Sequence, residues 1–157
     1  MPSPEWNHTD VALPPGVCVH NLFEQQAAKN PDAVALYYDH QAITYAALNA
    51  RANKVAHHLL ALGAERGTRI GLCIGRTPEM LVGMLGVLKA GAAYVPIDPV
   101  YPRSRQELIV EDSGLKLMLT QRDLIGTISA PGVTNICLDA DWPAIDARPD
   151  HNPGLSI

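Results

Sequence analysis

Apolar positions along this chain fall into short blocks whose period switches between about 3.6 and 2, the pattern of helices alternating with strands. The clearest stripe joins Leu48, Ala52, Val55, Leu59 and Leu62 at alternating steps of four and three, and predicts a helix over residues 45–62. Thr44 is placed to cap it through its hydroxyl and Gly63 to end it, while Asn49, Arg51, Asn53 and Lys54 fall on its other face. Ala47 stands where a capping box would need Glu or Gln, so the cap is the hydroxyl alone. Upstream, Leu22, Phe23, Gln26 and Ala27 share one face of a helix over residues 19–28. Residues 33–38 and 41–43 are rich in strand formers, and Asp39-His40 turns the chain between them.

Residues 68–74 form a nearly continuous apolar run, broken only by Gly71, and suit a strand buried on both faces. Thr77-Pro78-Glu79 then opens a helix: threonine caps, proline takes the first turn, and glutamate meets the positive end of the dipole. Met80, Leu81, Met84, Leu85, Val87 and Leu88 make that helix mostly apolar, so it should be largely buried. Gly83 and Gly86 each lower its helix propensity by about 1 kcal/mol, which close approach of a neighbouring element would explain. Gly91 supplies a left-handed cap, Tyr94 and Val95 favour a strand, and Pro96 and Pro99 stop it.

A helix over 102–113, a strand over 115–120, a short helix near 122–124 and a strand over 133–138 continue the alternation. Residues 1–19 carry Pro2, Pro4, Pro14, Pro15 and Gly16 and read as an extended lead-in. Residues 139–157 carry Pro143, Pro149, Pro153 and Gly154 and read as a departing loop. Strands alternating with helices of this length predict an α/β fold of βα units, with a largely parallel sheet and right-handed crossovers.

At 157 residues the chain is one domain of ordinary size, with 47% hydrophobic and 18% charged residues. Its net charge of -4, with no cluster of lysine or arginine, argues against nucleic acid or an anionic membrane as partner. No apolar run approaches a membrane span and the polar start is no signal peptide, so a cytoplasmic location is the expectation. Cys18, Cys73 and Cys137 are widely separated, odd in number and share no C-x-x-C spacing, and read as free thiols in a reducing compartment, Cys73 within a buried strand. His57 and His58 are adjacent, about 100° apart on a helix, and cannot converge on one metal.

Candidate chemistry is sparse. The glycines form neither G-x-x-x-x-G-K-[ST] nor G-x-G-x-x-G, and there is no G-x-S-x-G elbow or H-E-x-x-H. Glu111 and Asp112 face different ways near a helix end and make an improbable acid–base pair. Arg51, Arg76 and Arg105 are the charged residues that most invite a functional role, yet a solvated or ion-paired arginine is the commoner case. No catalytic, cofactor-binding or metal-ligating residue is assigned.

The run Leu88-Lys89-Ala90-Gly91-Ala92-Ala93-Tyr94-Val95-Pro96-Ile97-Asp98-Pro99 closely resembles the second core motif of the amino-acid adenylation domains of nonribosomal peptide synthetases. Thr44-Tyr45-Ala46-Ala47-Leu48-Asn49-Ala50-Arg51-Ala52-Asn53 resembles their first, at the family's spacing. Further family-like stretches are His20-Asn21-Leu22-Phe23-Glu24-Gln25-Gln26, Asn30-Pro31-Asp32-Ala33-Val34-Ala35, Arg76-Thr77-Pro78-Glu79-Met80, Tyr101-Pro102 and Glu111-Asp112-Ser113-Gly114. Gly75 departs from the pattern, because the family usually has glutamate or another larger polar residue there.

The resemblance implies the N-terminal portion of the large subdomain of the adenylate-forming enzymes, in three stretches. Residues 1–19, with Trp6-Asn7-His8-Thr9, resemble a condensation–adenylation linker; residues 20–139 are a partial adenylation domain; residues 140–157 stop before the phosphate-binding loop. His151-Asn152-Pro153-Gly154-Leu155 resembles the approach to that loop. Complete members use ATP and Mg²⁺ to make an aminoacyl-adenylate and load it on a phosphopantetheine thiol. The motifs present here are structural ones in the family, and its triphosphate loop, pocket aspartate, ribose-binding aspartate and catalytic lysine have no matching positions. The fragment is therefore expected to be inactive and to bind no cofactor. Its implied partners are the rest of the domain and neighbouring condensation and carrier domains, with self-association through unpaired apolar surface. A non-catalytic module complementing a separately encoded remainder is the alternative, and a small nucleotide-binding protein ranks last.

Overall fold

A computed structural model of the chain describes residues 12, 16–127 and 131–155; the linker-like residues around Trp6 lie outside these. The order is α1 (Val19–Lys29), β1 (Val34–Tyr38), β2 (Gln41–Thr44), α2 (Tyr45–Ala61), β3 (Arg69–Leu72), α3 (Pro78–Lys89), β4 (Ala93–Pro96), α4 (Arg103–Ser113), β5 (Leu117–Thr120), β6 (Thr134–Cys137) and α5 (Trp142–Asp146). A 3₁₀ turn, Arg122–Leu124, lies between β5 and β6.

β1 and β2 form an antiparallel hairpin apart from the main sheet. Asp39 and His40 turn it with φ of 46° and 61°, the positive values a two-residue primed turn requires. The main sheet has four parallel strands in the order β4-β3-β5-β6, so the α/β expectation holds. β4 lies on one side of β3 and β5 on the other. The chain therefore crosses opposite faces of the sheet, and the switch point falls between the ends of β3 and β5.

Two apolar clusters mark the two faces. Val55, Leu59, Ile70, Leu72, Val82, Val87 and Leu119 pack where α2 and α3 lie. Cys73, Ile97, Val110, Leu115 and Met118 pack where α4 lies. Neighbouring residues of β3 and β5 serve opposite clusters, as the two-residue period demands. The glycines of α3 do what their cost in propensity suggests. A Cβ on Gly86 would stand 2.6 Å from Val55 Cγ1, and one on Gly83 2.9 Å from Leu72 Cδ1.

Thr44 caps α2 by accepting from the Ala47 N–H at 3.2 Å. The stripe Leu48, Ala52, Val55, Leu59 is buried, but Leu62 is 44% exposed, because it caps the helix as Gly63, at φ +86°, turns the chain away. α3 is less buried than its composition suggests. Leu81 is exposed and Met80, Met84 and Leu85 are only partly covered. On α1 the inner face is His20, Phe23, Glu24 and Ala27, not the Leu22–Gln26 side, because Glu24 is drawn to Lys89 of α3; Leu22 is exposed.

β3 is shorter than its apolar run, so Cys73 lies one residue past it, buried, its N–H donating to Leu119 O at 2.9 Å. The expected departing loop is not a plain one in its described part, 139–155: Pro143 sits in the first turn of α5, where its missing N–H costs nothing, and Ile145 is buried.

Candidate functional site

β3 and β4 end side by side, Leu72 opposite Pro96, and a cleft of about 590 Å³ opens there. Its walls are largely apolar, from Leu72, Ile74, Met80, Met84, Tyr94 and Pro96, with Arg76, Asp98 and Tyr101 as polar members. One wall, the loop from Asp98 to Tyr101, is organised from beneath by Gln106 of α4, which is 2% exposed. Its Nε2 donates to the carbonyls of Asp98 (3.3 Å), Pro99 (3.1 Å) and Tyr101 (2.9 Å). Asp98 Oδ1 accepts from the Val100 N–H at 2.9 Å, closing the same loop. Pro99 and Pro102 supply no N–H, so beyond the Tyr101 N–H donating to Asp98 O at 3.1 Å the side chains do the tying.

At the switch point between β3 and β5, Gln121 ties the segments that follow the two strands. Its Oε1 accepts from the Gly75 N–H at 2.9 Å, and a Cβ at Gly75 would stand 3.3 Å from that oxygen. Its Nε2 donates to Thr77 Oγ1 at 3.4 Å. Thr77 occupies the cap position of α3, but its hydroxyl makes no capping bond to the helix backbone and instead accepts from Gln121. Glu79 is paired with Arg51 at 2.8 Å, and the Arg51 guanidinium stacks 5.0 Å from the centre of the Trp142 ring. Burial raises the Glu79 pKa, yet hydrogen bonds from Arg51 and Thr77 outweigh it and hold the carboxyl below its ordinary range. Arg51 thus joins α2, α3 and α5.

A second polar group sits under α1. Lys89 is 2% exposed and its ammonium donates to Glu24 and, at 3.2 Å, to Asn152 Oδ1. Burial pushes its pKa down, and Glu24 opposes the shift. Asn53, on the side of α2 opposite its apolar stripe, is fully buried, because its Nδ2 donates to Asp150 O at 2.6 Å and Asn152 Oδ1 at 3.0 Å. His20 is buried beside the Lys89–Glu24 pair, and burial lowers its pKa, with Glu24 opposing and Lys89 reinforcing.

Of the three arginines singled out, Arg51 is structural, Arg76 is exposed at the cleft and Arg105 is exposed on α4. Glu111 and Asp112 are exposed at the end of α4. His57 and His58 do not converge: His57 Nε2 bonds His151 O at 3.0 Å, while burial and Arg148 lower the pKa of His58, with Asp141 opposing. Among the described residues no three metal-ligating side chains come together. Sequence reasoning misses Lys89, Gln106 and Gln121. For Lys89 a signal exists, since 82, 86 and 89 share a helix face with buried Val82 and Gly86.

Residues 23–153, which span α1 to the segment after α5, match the family described as AMP-binding enzyme. The chain belongs to the AMP-binding enzyme family. It is 51% identical over 137 residues to a linear gramicidin synthase of Brevibacillus parabrevis, which takes in 87% of this chain and 2% of that protein. It is 42% identical over 154 residues to chondramide synthase cmdD of Chondromyces crocatus, 96% of this chain and 4% of that one. The nonribosomal peptide synthetase FmoA3 superposes with a TM-score of 0.82 at 30% identity, over 90% of this chain and 15% of FmoA3. The N-terminal subdomain of Klebsiella oxytoca NpsA, at 22% identity, shares the fold with a TM-score of 0.75, over 88% of this chain and 35% of that one. Within the AMP-binding family, this chain is the N-terminal part of a nonribosomal peptide synthetase adenylation domain, and it spans a small fraction of the relatives it matches.

Proposed function

We propose that this chain supplies the first βα layers of an adenylation domain whose complete form joins an amino acid to ATP as aminoacyl-adenylate and passes it to a phosphopantetheine thiol. The observation that carries the reading is the identity to linear gramicidin synthase, 51% across 87% of the chain. ATP and Mg²⁺ belong to the complete domain. The cleft beside β4 offers one exposed guanidinium and one exposed carboxylate to a ligand, which makes neither a triphosphate cradle nor a magnesium site, so no step is routed through it. The chain alone does not activate amino acids, since its sequence holds no Ser/Thr/Gly-rich loop followed by lysine. Amino-acid-dependent exchange of pyrophosphate into ATP, measured on the pure chain with each proteinogenic amino acid, should stay at the blank; exchange above it overturns this reading.

A second reading is favoured by exposed apolar side chains next to the cleft, where Val100 is 87% exposed and Tyr101 also faces solvent. There the layer acts as a non-catalytic module that a separately made remainder of the domain covers. Co-purification with a polypeptide carrying the glycine-rich loop, and exchange activity restored on mixing, supports it; two inert halves that stay apart refute it. Condensation and carrier domains are the proposed neighbours in the intact synthetase, self-association follows from the same uncovered surface, and the cytoplasm is the proposed compartment. Among the described residues no helix is long and apolar enough to cross a membrane.

A further inference from the structure

Residues 149–155 make no backbone–backbone hydrogen bond with any other described residue. Side chains alone hold them. Asn49, Asn53 and His57 recur at steps of four along α2 and form a polar seam beneath the segment. Asn53 Nδ2 donates to Asp150 O, His57 Nε2 bonds His151 O, and the rings of His57 and His151 lie 4.9 Å apart. One atom gathers most of the seam: Asn152 Oδ1 accepts from Asn49 Nδ2 at 3.1 Å, Asn53 Nδ2 at 3.0 Å and Lys89 Nζ at 3.2 Å. Asn152 itself is exposed, yet its carboxamide oxygen bonds these three donors. The Lys89 ammonium bonds Glu24 and that oxygen, and its side chain has no exposed surface.

We propose that residues 149–155 are a latched strap that opens as a unit of its own, with Asn152 as its keystone and the buried Lys89 ammonium as what it covers. A segment tied by a ladder would open with its sheet, whereas one tied by side chains opens when their shared acceptor is lost. The strap leads away from α5 and its docking sets the direction in which the chain leaves the α2–α3 layer. This goes beyond the adenylation reading and does not depend on it.

The test is Asn152→Ala, with Asn152→Asp as the conservative control that keeps an acceptor oxygen beside Lys89. Cleavage within residues 149–155 by a non-specific protease such as proteinase K, located by mass spectrometry, should quicken about tenfold in the alanine variant, the factor expected from losing one or two net hydrogen bonds. Amide hydrogen exchange in α2, α3 and β3 should stay as in the parent chain. Acylation by an amine-specific reagent should reach Lys89 faster in the alanine variant than in the parent or the aspartate control. Unchanged cleavage, or unchanged labelling of Lys89, overturns the proposal. So does exchange that quickens throughout the core, since the strap would then be part of the global unit.

Discussion

Replacing Gly86 by alanine sets two effects of known size against each other. Alanine is the better helix former by about 0.8–1 kcal/mol, so propensity alone predicts a more stable chain. The added Cβ, however, would stand 2.6 Å from Val55 Cγ1, 2.8 Å from Val55 Cβ and 3.2 Å from Ala52 O. Carbon atoms prefer about 3.5–4.0 Å, so α2 and α3 must part by about 1 Å at this crossing, enough to forfeit a quarter to a half of the facing dispersion contacts. Val55 is β-branched and cannot swing aside within a helix, and a backbone oxygen cannot move without its turn. The overpacking cost therefore falls in the upper part of the usual range of about 1–3 kcal/mol. After the propensity gain, Gly86→Ala should be destabilising by about 1–2 kcal/mol, or a fall in Tm of about 2–8 °C for a domain of this size. Urea unfolding of the parent, Gly86→Ala, Val55→Ala and the double variant checks it. In the double variant the new methyl occupies space that Val55 vacated, so the two losses should fail to add by about 1 kcal/mol or more. Gly83→Ala is the internal comparison, because its nearest contact is the end of a leucine side chain, Leu72 Cδ1 at 2.9 Å, and it should cost less. A Gly86→Ala chain as stable as the parent, or a strictly additive cycle, would refute the reasoning.

Two further outcomes follow from the titrating groups. His20 and His58 both have pKa values held below 6.5, chiefly by burial, so below that pH the unfolded chain binds more protons than the folded one and stability falls with acidification. Glu79, held below 4.5, adds a second loss at lower pH as its carboxylate protonates. The urea midpoint should be level between pH about 7 and 8 and drop on approach to pH about 5.5; a rise on acidification over that interval contradicts the burial argument. Cys73 is fully buried, with its thiol pushed up to about 11 by desolvation and then by Asp98, while Cys18 is partly exposed. Alkylation of the folded chain at pH about 8, read by peptide mass spectrometry, should therefore label Cys18 and leave Cys73 unlabelled until urea is added; prompt labelling of Cys73 refutes it.

Features with local causes are legible in the sequence. The α2 stripe, the Thr44 cap, the Asp39-His40 turn, the left-handed Gly91 at φ +74° and the close approach at Gly83 and Gly86 all depend on neighbours a few residues away or on a glycine's missing Cβ. Features whose cause lies far along the chain are not. Asn53 belongs by period to the polar side of α2, and only Asp150 and Asn152, 97 and 99 residues on, turn that position into an interior one. The inner face of α1 departs from its apolar pattern because a charge, Glu24, points inward to Lys89, 65 residues away. Pro143 has the look of a breaker, whereas its place in the first turn of α5 makes it a starter. The cleft is invisible in the sequence for a similar reason: Gln106 and Gln121 look like surface glutamines until the loops they tie are brought to them.

The distance from Asn53 to its partner also sets a clock. At about 5–20 residues per second, the 97 residues between Asn53 and Asp150 take about 5–20 s to synthesise. The βα units before α5 can collapse in far less time. A nascent chain thus carries a nearly finished apolar core in which Asn53 is still served by water. Lys89, made 63 residues before Asn152, spends a shorter part of that interval without it. The late arrival of a few side-chain bonds, and not the assembly of the sheet, is then the last event in building this layer.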